Sequence, residues 1–298
     1  MVWIAADWGT THLRLWVMDG DAVLRRMETD EGMGRLQPED YEPTLLGLLR
    51  DHIPVAQATE VLAAGMVGAR QGWIEAPYTT IPAPPPSVAA AVRPETRDSR
   101  LAVHVLPGMR QDDPPDVMRG EEVQIAGLMA TEPDFEGIVC LPGTHTKWVE
   151  LRGGEVVRFR TFMTGELFTL LSDQSVLRLS VGAEGWDDAA FRDGVQRGLA
   201  RPDSLPAGLF SLRAEALLRD LSPEASRARL SGLLIGTELS AARDIWQDRP
   251  LRIVGVAALS SAYQTALSMQ GAVAATPDLD EVTLAGFRAA HKALATVE

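Results

Sequence analysis

The sequence predicts an α/β protein of two domains with a ligand cleft between them. The chain has 298 residues, which is long for one hydrophobic core and fits two domains of roughly 100 to 200 residues each. Strand-like and helix-like segments alternate along much of the chain. A segment near the N-terminus also matches a second segment near the middle, which indicates that the two domains are related.

Composition excludes several classes of partner. The chain is 46% hydrophobic and 23% charged, with a formal net charge of −13 and no basic run. Nucleic acids and anionic membranes need a cationic surface, so neither is expected as a partner. The single cysteine, Cys140 in "GIVCLPG", predicts a buried, inert thiol and a reducing compartment. The absence of a signal-like or membrane-spanning segment predicts a cytoplasmic protein.

The first third of the chain begins with three strand patterns. Residues 2–6, the alternating segment 13–17 and the segment "AVLRRM" predict antiparallel strands joined by tight turns. The segments "EPTLLGLLRDH", "TEVLAAG" and "MVGARQGW" then predict a helix, a strand and a loop. That loop follows the carboxyl end of its strand, where parallel α/β sheets place their ligands.

A proline-rich stretch interrupts the alternation of strands and helices. Residues 77–86 contain five prolines and predict an extended loop. A strand is predicted in "RLAVHVLPG", and "DVMRGEEVQIAGLMA" predicts a helix with acids in its first turns.

The C-terminal half predicts mainly helices. They are expected in "TGELFTLLSD" and "ARLSGLLIGTELSAARDIW", with a less regular, Arg-rich segment over 175–230 that could cap the cleft. A strand, a small-residue loop and a helix are predicted in "LRIVGVAALSSAYQTAL". Residues 280–298 predict an amphipathic helix with acids at its start and Lys292 near its end, as the helix dipole favours.

An internal repeat links the two halves. The segment "GTHTKWVELRGGEVVRFR", which starts at Gly143, aligns without a gap on "GTTHLRLWVMDGDAVLRR", which starts at Gly9. Glycines, threonines and alternating apolar residues keep register, so both segments predict a unit of strand, glycine turn, strand, turn and strand. Two such copies indicate related domains that face each other.

The first strand ends in a turn that carries Asp7, Gly9, Thr10 and Thr11. A glycine lets the backbone approach phosphate oxygens, the turn's N–H groups and threonine hydroxyls donate hydrogen bonds, and the aspartate reaches a hydrated Mg²⁺. The alternative is an Asx turn with a hairpin glycine. Because the second copy repeats the Gly-Thr turn, a polyphosphate held between two hairpins is favoured. Lys147 either adds charge to the second turn or is a solvated strand lysine.

The ordered set of motifs resembles the actin and sugar-kinase superfamily, and more closely the 2-dehydro-3-deoxygalactonokinase family. The similarity covers about the whole chain and is carried by "ADWGTTHLRLW", "GMVGARQGWIEAPY", "PDVMRGEEVQI", "CLPGTHTKWV", "FMTGELFTLL", "LLIGTEL" and "VGVAALSSAYQTAL". This resemblance implies a two-lobed actin-like ATPase (ribonuclease H-like) fold, with lobes over residues 1–115 and 116–298. It also implies ATP-dependent phosphorylation of a 2-keto-3-deoxy sugar acid at its terminal hydroxyl, with ATP and Mg²⁺ as cofactors. A homodimer is one assembly open to such a protein.

The resemblance implies a role for each matched position. Asp7 would orient Mg²⁺, directly or through water, and the first phosphate loop would consist of Gly9, Thr10 and Thr11. The second phosphate loop would consist of Gly143, Thr144, His145 and Thr146, with Lys147 behind it. The turn beside adenosine would consist of Gly255, Ala257 and Ala258, although an ordinary strand-to-helix turn is the alternative there. Leu141 and Pro142 stand where many members have an acid, so metal binding would depend mainly on Asp7.

Phosphoryl transfer also needs a carboxylate near the attacking hydroxyl. Related sugar kinases have a Gly-Asp pair at the start of the helix before the second hairpin, and Gly120-Glu121 match it here. Glu121 is therefore the expected base, since the helix dipole would help to keep it ionised. Glu122 and Asp116 are alternatives, and all three could be ordinary first-turn acids.

A sugar acid needs a cationic partner for its carboxylate. Arg70 could bind it through a bidentate ion pair, while Gln71 could contact a hydroxyl group and Trp73 could form a flat apolar wall. The alternative is a surface arginine beside a core tryptophan. Glu166 either contacts sugar hydroxyls or merely starts its helix.

Two other functions stay open at this point. A superfamily kinase for a neutral sugar, a polyol, an N-acetyl sugar or 2-keto-3-deoxygluconate would keep the phosphate hairpins. A non-catalytic ATP-binding regulator or filament protein would bind nucleotide without a small-molecule acceptor. The acid-started helix and the loop "GARQGW" argue against the regulator.

Overall fold

Short strands alternate with helices along the computed structural model, which describes residues 2–54, 57–86 and 88–295. The strands are β1 (Val2–Trp8), β2 (Leu13–Asp19), β3 (Ala22–Thr29), β4 (Thr59–Gly65), β5 (Tyr78–Thr80), β6 (Leu101–Val105), β7 (Gly108–Asp112), β8 (Pro115–Met118), β9 (Gly137–Leu141), β10 (Thr146–Arg152), β11 (Glu155–Phe162), β12 (Leu251–Ile253) and β13 (Ala274–Ala275). The helices are α1 (Tyr41–Leu49), α2 (Glu121–Thr131), α3 (Thr164–Asp173), α4 (Asp188–Ala200), α5 (Leu205–Leu218), α6 (Pro223–Ala241), α7 (Arg243–Trp246), α8 (Ala257–Ser268) and α9 (Leu279–Leu294).

The first sheet has the strand order β3-β2-β1-β4-β6. Strands β1, β2 and β3 are antiparallel, as predicted, whereas β4 and β6 run parallel to β1. The central strand β1 is apolar on both faces because both faces are covered. Ile4 packs in a core with Leu45 of α1, and Trp3 on the opposite face packs in a core with Phe287 of α9.

The second sheet repeats this order as β11-β10-β9-β12-β13. Strands β1, β2 and β3 recur as β9, β10 and β11 with their bounds displaced by 133 to 135 positions, which agrees with the alignment of Gly9 on Gly143. The internal repeat is therefore confirmed by the strand order. Cys140 lies fully buried in the core of this sheet, as predicted, and burial raises the pKa of its thiol.

The chain divides into two compact units. Unit 1 comprises 1–135, 151–158 and 279–298, and unit 2 comprises 136–150 and 159–278. The C-terminal helix α9 belongs to unit 1 because it packs against α2 through two glycines. A Cβ on Gly127 would lie 1.7 Å from the Val282 carbonyl oxygen, and one on Gly286 would lie 2.0 Å from that of Val123. The lobe boundary predicted between residues 115 and 116 lies within unit 1.

Two predicted segments differ from the structure. The segment 175–230 is mostly regular, with α4, α5 and the start of α6, because α4 and α6 meet along glycines that permit close packing. A Cβ on Gly194 would lie 2.4 Å from the Arg229 carbonyl oxygen. The helix predicted from residue 116 begins only at Glu121, after Gly120 turns the chain with a φ of 109°.

The proline-rich stretch is extended, as predicted, and also contributes to a small sheet. Strand β5 pairs in parallel with β7, which pairs with β8 in the order β5-β7-β8. Across the described residues, every helix is too short or too polar to cross a lipid bilayer.

Candidate functional site

The first Gly-Thr-Thr turn is held from one side by a second glycine-rich segment. The carbonyl oxygens of Gly9, Thr10 and Thr11 accept hydrogen bonds from the backbone N–H groups of residues 33, 34 and 32, at 3.0, 2.9 and 3.1 Å. A Cβ on Gly32 would lie 2.3 Å from the Thr11 carbonyl carbon and 2.4 Å from the Thr10 oxygen. Only glycine permits this approach.

This packing decides which groups the turn presents outward. Because N–H and C=O point in opposite directions across a trans peptide, the N–H groups that follow these carbonyls face away from residues 32–34. The side chains of Thr10 and Thr11 are exposed. The turn therefore offers donors on its free side, as an anion-binding loop does. The glycines of "EGMG" after the third strand are the sequence signal for this arrangement, and the sequence analysis missed it.

Asp7 lies at the end of β1, directly opposite Arg14 of β2. Its carboxylate accepts a hydrogen bond from the Arg14 guanidinium, which also lies 3.8 Å from Asp280. Burial raises the pKa of Asp7, Arg14 opposes that shift, and the nearby carboxylate of Glu121 adds to it. Sequence reasoning missed Arg14, although its position in the antiparallel register follows from the hairpin.

The carboxyl ends of β1 and β4 bring Asp7 near the start of α2. Trp8 pairs with Gly65, whose φ is 92° and whose Cβ would lie 2.5 Å from the Trp8 carbonyl oxygen. A Cβ on Gly120 would in turn lie 3.3 Å from the Cα of Gly65. Two close backbone approaches thus place Asp7 and Glu121 at one edge of the first sheet.

The three acids considered as base occupy different environments. Glu121 is half-buried in the first turn of α2, and its carboxylate accepts the N–H of Arg119 at 3.0 Å. Glu122 is 1% exposed, and burial followed by the charge of Glu121 raises its pKa to about 8. Asp116 lies in β8 and not on the helix, contrary to the prediction, because the chain turns at Gly120.

The substrate residues predicted in the loop after β4 lie in different environments. The side chain of Arg70 is 80% exposed and lies 3.4 Å from Glu75, and Gln71 is also exposed. Trp73 stacks on Tyr41 with ring centroids 5.9 Å apart and lines a cavity of about 710 Å³ beside α1. This geometry matches a surface arginine beside a core tryptophan, so a substrate role for Arg70 stays a prediction.

A second arginine contacts the same loop and was missed by the sequence analysis. Arg119 donates from Nη2 to the Ala76 carbonyl at 2.7 Å, and its guanidinium lies 4.2 Å from the centroid of the Tyr78 ring. Its Nε and Nη1 atoms are buried without a hydrogen-bond partner among the described residues. A Cβ on Gly68 would lie 2.8 Å from Nη1, which shows how closely the loop covers it.

The second Gly-Thr turn is held by the start of α3 in the way that the first is held by residues 32–34. A Cβ on Gly165 would lie 2.2 Å from the Gly143 carbonyl oxygen, and the N–H of Glu166 donates to the Thr144 carbonyl at 2.9 Å. His145 also lies 2.7 Å from Glu166, Nε2 to Oε2. The predicted residues Thr144, His145 and Glu166 are therefore in direct contact.

The remaining predicted residues of the second turn point inward. Lys147 is buried, and its Nζ donates to the His145 carbonyl at 3.3 Å, so it is not a solvated strand lysine. Thr146 is buried as well, and its hydroxyl lies 2.8 Å from that of Tyr263.

The turn predicted beside adenosine adjoins this loop. Strands β9 and β12 are parallel, and a Cβ on Gly255 would lie 2.9 Å from the Pro142 side chain. Ala257 and Ala258 follow as the exposed first residues of α8. The carboxyl ends of two parallel strands thus bring the second loop and this turn to one edge of the second sheet.

No cluster of three or more metal-binding side chains occurs within the described ranges. A preformed protein cage for a metal is therefore absent there. Mg²⁺ usually needs only one or two carboxylates, with waters and substrate phosphates as the other ligands. The buried carboxylate of Asp7 supplies one such ligand.

Comparison with known proteins gives one consistent family. A family model for 2-keto-3-deoxy-galactonokinase matches residues 7–290. The chain is similar to DgoK1 of Rhizobium meliloti, assigned as a 2-dehydro-3-deoxygalactonokinase, with 39% identity over 97% of this chain and 96% of the relative. It is also similar to the 2-dehydro-3-deoxygalactonokinase of Escherichia coli, with 35% identity over 98% of each chain.

Solved structures agree with this result. A crystal structure of a protein from Sinorhizobium meliloti, assigned as a 2-dehydro-3-deoxygalactonokinase, matches with a TM-score of 0.92 and 38% identity over 98% of this chain and 96% of that one. The activator of 2-hydroxyisocaproyl-CoA dehydratase from Clostridium difficile matches with a TM-score of 0.55 and 13% identity over 100% and 98% of the two chains, a likeness of fold alone. The predicted actin-like ATPase and sugar-kinase fold class is confirmed.

Proposed function

This chain belongs to the 2-keto-3-deoxy-galactonokinase family, and on that premise we propose that it phosphorylates 2-dehydro-3-deoxy-D-galactonate with ATP. The phosphoryl group goes to the terminal 6-hydroxyl, giving 2-dehydro-3-deoxy-6-phosphogalactonate and ADP in galactonate catabolism. The observation that carries this proposal is the match to two curated relatives of that activity over at least 96% of every chain compared. Because the reaction consumes ATP, we place it in the cytoplasm. A homodimer stays a prediction.

In this proposal the two Gly-Thr loops supply hydrogen-bond donors to the phosphates of ATP. Residues 10–12 offer N–H groups on the side turned away from residues 32–34, and the side chains of Thr10 and Thr11 are exposed. Residues 143–147 add exposed Thr144 and His145, with the cation of Lys147 behind them. The exposed, small residues Ala257 and Ala258 leave room for the nucleoside. Donors fixed before the substrate arrives stabilise transferring phosphate without a cost of reorganisation.

Asp7 is the residue proposed to hold Mg²⁺, directly or through water. Its carboxylate is buried, which makes the charge costly unless a cation is near, and Arg14 supplies one already. When bound, Mg²⁺ would neutralise phosphate charge during transfer. The ion pair with Arg14 fixes the orientation of the carboxylate, so it needs no rearrangement to receive a hydrated ion.

Glu121 is the proposed base that takes the proton of the attacking hydroxyl. It lies half-buried in the first turn of α2, on the edge of the first sheet where Asp7 also lies. Glu122 suits the role less well, because it is buried and its raised pKa of about 8 keeps most of it protonated at neutral pH. A base must be ionised and reachable by the substrate.

Two arginines compete for the carboxylate of the sugar acid. Arg70 has an exposed side chain that could bind an anion at the expense of its contact with Glu75. Arg119 is already ordered by Ala76 and Tyr78, and two of its nitrogen atoms, Nε and Nη1, have no hydrogen-bond partner among the described residues. An arginine fork can receive both oxygens of a carboxylate. We keep Arg70 as the first candidate and Arg119 as the second.

The experiment that tests the function measures ADP release with ATP and Mg²⁺ against a panel of acceptors. The panel contains 2-keto-3-deoxygalactonate, 2-keto-3-deoxygluconate, the parent aldonates, neutral hexoses and a blank without acceptor. We expect strong turnover with the galactonate derivative and a lower rate with its C4 epimer. Turnover with a neutral hexose alone would refute the substrate, and ATP binding with no acceptor-dependent turnover would favour a regulator.

A further inference from the structure

A buried carboxylate in unit 2 connects three elements that carry residues of the proposed ATP site. Glu238 lies on α6 and is 3% exposed. Its Oε1 accepts the indole N–H of Trp148 at 2.7 Å, and its Oε2 accepts the hydroxyl of Tyr263 at 2.8 Å. The hydroxyl of Thr164 also donates to Oε2. One side chain thus binds β10, α8 and the first turn of α3.

The direction of the hydrogen bonds extends this network to the second Gly-Thr loop. Tyr263 has one hydroxyl proton, which it donates to Glu238, so its oxygen accepts the proton of Thr146 at 2.8 Å. Thr146 is therefore oriented by Glu238 through Tyr263. It directly precedes Lys147 and follows His145, both of which the proposal places at the phosphates.

Each element that Glu238 contacts also carries or contacts residues of the loop or of the turn at residues 255–258. Two residues after Thr164, the backbone and the side chain of Glu166 bond to Thr144 and His145. Helix α8, which carries Tyr263, begins at the exposed residue Ala257. A shift of any one element would therefore displace the loop or the turn at residues 255–258.

The helix that carries Glu238 is itself held in place. Helix α6 packs on α4 through glycines, and a Cβ on Gly236 would lie 2.3 Å from the Val195 carbonyl oxygen. This close approach brings the backbones of α6 and α4 into direct contact. The packing of α6 on α4 therefore sets the position of the Glu238 carboxyl group relative to the donors around it.

We infer that Glu238 is a positioning residue, which holds the loop at residues 143–147 in the geometry that receives ATP phosphate. This inference rests on the proposed function, because it assumes that the loop binds phosphate. Burial raises the pKa of Glu238 to about 7, and the hydrogen bonds from Thr164, Trp148 and Tyr263 oppose that shift. A connected network loses more than one bond when its centre is changed. Thr146, Trp148 and Thr164 act on ATP only through the backbone that they fix.

The test compares Glu238→Gln with two other variants of unit 2. Glu238→Gln keeps the size of the side chain but replaces one acceptor oxygen with an amide NH₂ group, which cannot accept. Tyr263→Phe removes only the hydroxyl between Glu238 and Thr146, so it serves if the first variant does not fold. Glu150→Gln is the matched control, since Glu150 is a buried carboxylate on β10 that bonds Arg249 at 3.0 Å.

The readouts are the Kd for ATP without acceptor, the KM and kcat with acceptor, and the melting temperature. We expect Glu238→Gln to raise the Kd and the KM for ATP about tenfold, the loss expected for about 1.4 kcal/mol of binding. The KM for the sugar acid should change less, and Glu150→Gln should leave the Kd for ATP unchanged even if its melting temperature falls. Because Tyr263→Phe acts on the same chain of bonds, the double variant should bind ATP no more weakly than Glu238→Gln.

Three results would overturn the inference. The first is an unchanged Kd for ATP in both Glu238→Gln and Tyr263→Phe. The second is a Kd for ATP raised as much in Glu150→Gln as in Glu238→Gln, because it would show a general loss of stability. Additive losses in the double variant are the third, since they would place the two residues in separate networks. A wild-type protein that binds ATP but turns over no acceptor would refute the proposed function alone, because the comparison of ATP affinities would still stand.

Discussion

Gly32→Ala tests whether the first Gly-Thr-Thr turn depends on its backing segment. The added Cβ would lie 2.3 Å from the Thr11 carbonyl carbon and 2.4 Å from the Thr10 oxygen, whereas ordinary contact begins at 3.4 Å. Both atoms are backbone, so no side chain can rotate away. The turn must move by about 1 Å, or the strain remains at a cost of about 1 to 3 kcal/mol. A displacement of about 1 Å at a reacting group can lower a rate about 100-fold.

We therefore expect Gly32→Ala to lower kcat/KM for ATP by one to two powers of ten, about 10- to 100-fold. The assay is steady-state ADP release with ATP varied at a saturating sugar acid, together with a melting curve. Gly47→Ala is the matched control, because Gly47 lies in α1 and a Cβ there meets nothing within 4 Å. Alanine at that helical position should keep the kinetics and stabilise the fold by up to about 1 kcal/mol.

The reasoning would be refuted by wild-type kinetics in Gly32→Ala together with a folded protein. Such a result would mean that the turn tolerates displacement and that its carbonyl packing does not set its function. A loss of activity equal to that of Gly47→Ala would refute it as well, since the effect would then follow from any alanine in unit 1.

Four further predictions concern charged residues of unit 1. Asp7→Asn should lose most turnover at saturating ATP and Mg²⁺ in the same assay, and near-normal turnover would remove its metal role. Glu121→Gln should lower kcat at least about 100-fold with little change in the Kd for ATP, and the base is wrongly assigned if only Glu122→Gln does so. The pKa of Glu122 is raised from 4.5 to about 8, so between these pH values the native state holds a proton that the unfolded state has released. The free energy of unfolding therefore falls as the pH rises from about 4.5 to 8. The melting temperature of Glu122→Gln should fall less over this range than that of the wild type, and an equal fall would contradict the prediction. Arg70→Ala should raise the KM for the sugar acid more than that for ATP. If Arg119→Lys raises the KM for the sugar acid more than Arg70→Ala does, Arg119 and not Arg70 is the residue that binds the substrate carboxylate.

The sequence analysis identified the strands and turns of both repeats because their signals are local. Alternating apolar residues have the period of a strand, and a glycine followed by threonines marks the turn that follows it. Gly9 and Gly143 lie at equivalent places in two sheets of the same strand order, as the gapless alignment predicted. The family and its reaction class were also accessible, because they depend on an ordered set of such motifs.

Two errors came from patterns that are ambiguous over a short window. The acids before α2 have helical spacing, but the positive φ of Gly120 starts the helix later and leaves Asp116 in β8. The Arg-rich segment 175–230 has a weak helical pattern because many of its helix residues are glycine, alanine or charged. Those small residues are what allow α4 and α6 to pack closely, a contact that no single helix reveals.

By itself, the sequence determined the order of the elements, the repeat and the two Gly-Thr turns, because neighbours along the chain decide those features. Only the tertiary structure decided what holds the turns in place. Gly32 packs on Thr11 across a hairpin, and Glu238 binds Trp148 from 90 positions away, while Tyr263 reaches Thr146 across 117. A hydrogen bond needs donor and acceptor within about 3 Å, and sequence spacing does not determine such a distance between residues that the fold brings together.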